Sequence, residues 1–137
     1  MNQSLYTAQE TALIETSYIK KYAVTEYELM NRAGKALLTY INTTFPEKKV
    51  IQIICGSGNN GGDGYTLARL LLAEDVSVLC YEGNVPKQAS ATQARHELIQ
   101  SGLTPLLFKD LVFDEDALIV DAIFGIGCNK AVTGIYA

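Results

Sequence analysis

The chain has 137 residues, 48% apolar and 19% charged, with a formal net charge of −4. This is the composition of one ordinary globular domain and excludes a disordered or fibrous chain. Its only lysine pairs are Lys20-Lys21 and Lys48-Lys49, so no basic stripe exists for a phosphate backbone and nucleic acid is not an expected partner.

Cys55, Cys80 and Cys128 are an odd number without C-x-x-C spacing, which predicts a reducing, cytoplasmic setting. Met1-Asn2-Gln3-Ser4 has no basic stretch followed by an apolar one, and no apolar run reaches membrane-spanning length, so no membrane is expected.

Thr7-Ala8-Gln9-Glu10 fits a capping box, and Leu13, Ile14, Tyr18 and Ile19 continue a helical stripe to about Tyr22. Thr25-Glu26-Tyr27-Glu28 repeats the signal. Leu29, Met30, Ala33, Leu37 and Ile41 then recur at helical spacing until Phe45-Pro46. Both stripes read as core packing against a sheet.

At Val50 the period changes. Val50 to Cys55 is a short β-branched run typical of a strand buried on both faces. After a glycine-rich stretch, Tyr65 to Ala73 reads as a helix and Val76 to Tyr81 as a strand, which makes a βαβ unit. Gly83 to Ala89 reads as a loop, and Ser90-Ala91-Thr92-Gln93 as the cap of a helix to about Gln100. Pro105 to Phe108 is a weak strand and Ala117 to Asp121 a buried one. The alternation predicts a parallel sheet covered by helices, with Val50 to Cys55 central.

Gly56-Ser57-Gly58-Asn59-Asn60-Gly61 spells G-x-G-x-x-G, and Glu82 stands where an acid would bind a ribose hydroxyl in a dinucleotide fold. Asp63 does not suit a simple phosphate cradle, because a carboxylate there repels an anion where repulsion is least screened. On turn chemistry alone, Asp63 either caps the following helix or contacts a ligand. Asp121, at the carboxyl end of a buried strand, likewise either caps the next loop or works. Lys130 is a candidate donor, while His96 reads as a surface residue. Cys128 lacks a neighbouring histidine and does not read as a nucleophile.

Three blocks carry a resemblance: Leu29-Met30-Asn31-Arg32-Ala33-Gly34, Cys55 to Gly64, and Asp121-Ala122-Ile123-Phe124-Gly125-Ile126-Gly127. Together they are similar to the YjeF N-terminal domain family, the NAD(P)HX epimerases. The resemblance implies one Rossmann-like three-layer α/β/α domain over 1–137 and interconversion of the R and S forms of hydrated NADH or NADPH. It implies coupling to an NAD(P)HX dehydratase and leaves the oligomer open, with a homodimer one option.

By the same resemblance, Asn59, Asn60, Gly61, Gly62 and Asp63 line the substrate, as does a closing loop of Gly125, Ile126, Gly127, Cys128, Asn129, Lys130 and Ala131. Asp63 and Asp121 are the catalytic candidates. Asn60 and Asp121 help bind a potassium ion, for which amide and carboxylate oxygens are suitable hard ligands. The family continues with a D-x-P-S-G-like segment that supplies a further acid and a cation-binding hydroxyl. Its absence from these 137 residues predicts a fragment, or a relative that binds without catalysing. The rival readings are an NAD-dependent oxidoreductase using Glu82 and a non-catalytic dinucleotide or ADP-ribose binding module.

Overall fold

The computed structural model describes residues 5–136; the opening stretch Met1–Ser4 read above lies outside them. Helices α1 (Ala8–Tyr22) and α2 (Glu26–Thr44) precede strand β1 (Val50–Cys55). Then come α3 (Asn59–Leu72), β2 (Ser77–Glu82), α4 (Ala89–Gln100), the two-residue strand β3 (Leu106–Leu107) and β4 (Leu118–Ala122). Short 3-10 turns span Phe108–Asp110 and Gly134–Tyr136.

Thr7 and Thr25 both close full capping boxes, with Glu10 and Glu28, as the sequence predicts. The four strands are parallel in the order β3-β2-β1-β4, which makes β1 central. Ile51, Ile53 and Cys55 turn one face of β1 toward Met30 and Ile41 of α2, Tyr65, Leu67 and Leu71 of α3, and Ala94 and Leu98 of α4. Their burial supplies the main apolar driving force of the fold.

The opposite face meets irregular chain at Gln52 and stays open at β4, where Ile119 and Asp121 are exposed. Gln52 is fully buried, donating to Val112 O at 2.7 Å and accepting from Asp114 N at 2.9 Å. That buried amide satisfies both of its polar ends, so its place in an otherwise apolar strand costs little.

Five expectations need correction. The strand expected to be buried over Ala117 to Asp121 is β4 at the edge of the sheet, and of its residues only Ala122 is buried, because no strand among the described residues pairs with its outer side. Helix α3 starts at Asn59 rather than Tyr65, because the glycine stretch itself winds into the helix. Helix α4 starts at Ala89 with Gln88 as its cap, and Ser90 lies inside it with its hydroxyl on Glu26. The strand expected over Pro105 to Phe108 keeps only Leu106 and Leu107 before a 3-10 turn takes over. Helix α1 does not cover the sheet: none of its residues is buried, and Leu13 and Ile14 remain 67% and 48% exposed. It packs on the outer side of α2, where Arg32 donates to the Tyr18 hydroxyl at 2.6 Å.

Candidate active site

The second half of the glycine stretch forms the opening turns of α3, at the carboxyl end of β1. Gly58 is the N-cap and no side chain caps the turn, which leaves its first N–H groups without a side-chain partner. Gly61 and Gly64 make the geometry possible. A Cβ on Gly61 would collide with the Gly56 carbonyl oxygen, and one on Gly64 would stand 2.7 Å from Cys55 Sγ and 2.8 Å from Ala122 Cβ. These glycines let α3 leave β1 at once and press against the sheet, the same use that dinucleotide folds make of them.

Asp63 therefore lies in the second turn of α3 and cannot be its cap. Asn59 and Asp63, one helical turn apart, share a face. They line a cleft of about 160 Å³ between α3 and the two N-terminal helices, together with Glu15 and Thr16 of α1 and Glu26 and Met30 of α2. The Asp63 carboxyl has no hydrogen bond among the described residues, and burial pushes its pKa up from 3.8 to about 6, with the Glu15 charge adding to the effect. A protonated fraction near neutral pH suits a group that gives and retakes a proton. A larger hollow of about 380 Å³ lies on the outer face of α1, but Leu13, Ile14, Ser17, Tyr18, Lys21 and Tyr22 form it and no motif residue reaches it.

Asn60 points to a different neighbour. A Cβ on Gly125 would stand 3.2 Å from Asn60 Cβ and 3.7 Å from its Oδ1, so the loop after β4 lies over this side chain. Asp121 pairs with Ile54 in the β1–β4 register, and its Oδ1 accepts from the Ile123 N–H at 2.9 Å. One oxygen of Asp121 thus shapes the following loop while the carboxylate stays exposed. Ile126, Gly127, Cys128, Asn129, Lys130 and Ala131 are all exposed, tied by a turn from Cys128 N–H to Gly125 O at 3.1 Å. Gly61 and Gly62 are buried, Gly62 against Met30. His96 is exposed.

Glu82, the residue that would carry the oxidoreductase reading, is already engaged. It is 4% exposed and accepts from the Tyr65 hydroxyl at 2.8 Å and from both Nε and Nη2 of Arg95. Burial pushes the Tyr65 hydroxyl pKa up, and the Glu82 hydrogen bond raises that of Arg95. A carboxylate so saturated offers no ready acceptor to a ribose diol. Sequence reasoning missed Glu15 and Thr16, which it passed over as ordinary positions of an amphipathic helix.

A parallel sheet with a glycine-shaped β1–α3 junction and polar residues at the carboxyl ends of β1 and its neighbour β4 defines the chain as a Rossmann-like α/β domain. Residues 26–137 match the profile of the family described as YjeF-related protein N-terminus, and the chain belongs to that family. It is 37% identical over its full length to the NAD(P)H-hydrate epimerase of Limosilactobacillus reuteri and spans 66% of that relative. It is 38% identical over 79% of its length to the bifunctional NAD(P)H-hydrate repair enzyme Nnr of Escherichia coli, of which it spans 21%. The crystal structure of yeast ynu0 superposes with a TM-score of 0.82 at 23% identity, over 96% of this chain and 60% of that one, which shows the shared fold. Among the described residues, no helix is long and apolar enough to cross a membrane.

Proposed function

We propose that the chain epimerises hydrated NADH and NADPH, with Asp63 as the proton-transferring group. The observation that carries this reading is the unpartnered, largely buried carboxyl of Asp63, facing a cleft beside Asn59 inside the family's glycine motif. Hydration of an enamine leaves a hydroxyl on the carbon next to the ring nitrogen. Asp63 in its protonated form gives its proton to that hydroxyl, the C–O bond breaks, water leaves and the nitrogen lone pair stabilises the cationic ring. Water then adds to the opposite face and its proton returns to the Asp63 carboxylate, so neither atoms nor electrons are gained or lost.

A potassium ion fits the oxygen donors next to this cleft. The Asn60 amide oxygen and the Asp121 oxygen not engaged by Ile123 are hard ligands, and a single carboxylate suits a monovalent cation. No group of three or more His, Cys, Asp or Glu side chains able to hold a metal occurs among the described residues. When bound, the ion would supply positive charge for the substrate's anionic part. The loop Gly125 to Ala131 would close over the substrate from the Asn60 side. Coupling to a dehydratase is supported by the relatives named as bifunctional repair enzymes, and the reading places the chain in the cytoplasm. A homodimer has a surface available in the apolar outer face of α1.

The test is incubation with R-NADPHX, with a dehydratase specific for the S form reporting product at the nicotinamide absorbance. A rate above the uncatalysed one that disappears in Asp63→Asn supports the reading. Binding without any rate increase would replace it with the binding-module reading, and hydride transfer with the oxidoreductase.

A further inference from the structure

The cleft that Asp63 faces is built as much by α1 as by the family motif. Glu15, Thr16 and Ile19 come from α1, Glu26 and Met30 from α2, and Asn59 and Asp63 from α3. Helix α1 lies outside the residues matched by the family profile, which begin at 26.

Its volume and charge restrict what can enter. At about 160 Å³ the cleft is well below the roughly 300–1,000 Å³ of pockets that enclose a whole drug-sized ligand, so it can hold one ring of a dinucleotide and no more. Three carboxylates and no lysine or arginine line it, which excludes the pyrophosphate. Glu26 is engaged by the Ser90 hydroxyl at 3.3 Å. The Thr16 hydroxyl donates to Ala12 O at 2.8 Å, so Glu15, the Asn59 amide and Asp63 remain as polar partners, beside the apolar walls of Met30 and Ile19. Such a lining suits a neutral ring that carries hydrogen-bond donors, and a hydrated nicotinamide has two of them, its ring hydroxyl and its carboxamide NH₂.

We propose that the α1–α3 cleft is the subsite for the hydrated nicotinamide ring and that Glu15 is a substrate-binding residue in it, accepting a hydrogen bond from the ring's hydroxyl or carboxamide. This rests on the function proposed above and adds to it a wall of the site and an orientation. The ring enters between α1 and α3, while the pyrophosphate stays outside, toward the uncapped first turn of α3 and the Gly125 loop.

NADHX and ADP-ribose separate the ring from the rest of the dinucleotide, since ADP-ribose keeps the adenosine, pyrophosphate and second ribose and lacks the ring. Calorimetric titration of both ligands into wild type, Glu15→Ala and Glu15→Gln is the test. Glu15 is exposed in the free protein, so both variants are expected to fold, and their melting temperatures verify it. The expected result is about a tenfold loss of NADHX affinity in Glu15→Ala, the order of one hydrogen bond to a charged group. Glu15→Gln, which keeps an acceptor oxygen, loses less, and ADP-ribose affinity stays within about twofold in both. NADHX affinity unchanged in Glu15→Ala, or an equal loss for NADHX and ADP-ribose, overturns the assignment while leaving the epimerase reading intact. A wild-type chain that binds ADP-ribose and shows no measurable interaction with NADHX refutes the epimerase reading itself, and the subsite with it.

Discussion

Replacing Asp63 by asparagine should make the protein more stable above pH 6 while it removes activity. The Asp63 carboxyl titrates at about 6 in the folded chain against an ordinary 3.8, chiefly because burial penalises its charge. A carboxyl whose pKa is raised on folding binds its proton more tightly in the native state, so stability falls as pH rises between the two values. Below 3.8 both states are protonated and nothing is lost; above about 6 the whole penalty is present. At 1.36 kcal/mol per pH unit the interval converts to about 3 kcal/mol, an upper figure because the group keeps some contact with water. Asparagine carries no charge at any pH and should recover that amount at pH 8, a rise of roughly 10 °C in melting temperature for a domain of this size. Urea denaturation of both proteins from pH 4 to pH 8 is the assay. The wild-type curve should decline across the window and the variant's stay level, whatever constant offset the amide introduces. Parallel curves would refute the placement of Asp63 as a desolvated, unpartnered acid. A stabilised and inactive variant is the signature of a group retained for chemistry at a cost to the fold.

Glu82→Gln removes the charge that holds Arg95 and weakens the acceptor of the buried Tyr65 hydroxyl. It should cost about 2–3 kcal/mol by urea denaturation and leave ADP-ribose affinity unchanged; an affinity loss without destabilisation would restore the ribose-binding reading. Gly64→Ala forces a methyl against Cys55 Sγ and Ala122 Cβ and should destabilise by about 1–3 kcal/mol in the same assay, with a wild-type melting curve counting against the close α3–β1 contact. Exchanging potassium for tetramethylammonium should lower substrate affinity or rate in the wild type and have no effect in Asp121→Ala, as initial-rate measurements in the two salts would show. An ion dependence that survives in Asp121→Ala removes Asp121 from the cation site.

Much of the frame was legible because its causes are local. Two threonine capping boxes place the starts of α1 and α2, and the β-branched run of β1, interrupted only by Gln52 before it ends at Cys55, identifies a strand buried on both sides and hence central. The start of α3 was not legible, because five glycines in the nine residues from Gly56 to Gly64 signal a loop by propensity. Here that cost is offset by contacts only glycine permits, with the Gly56 carbonyl and with Cys55 and Ala122. Asp63 could be recognised as unusual from charge alone, but choosing between cap and ligand contact required knowing how many helical residues precede it.

The role of α1 was hidden for a different reason. Helical periodicity reports which residues share a face and does not report what that face meets. In α2 the stripe meets the core and Met30 and Ile41 are buried. In α1 the apolar side of Leu13 and Ile14 faces outward, and the opposite side, with Glu15, Thr16 and Ile19, lines the cleft that Asp63 faces. A helix that contributes no buried residue adds little to the core, so its position over the glycine motif is better explained by what it encloses than by what it stabilises. Removal of polar groups on its inner side should accordingly be read out in ligand discrimination, where the stability of the sheet is not affected.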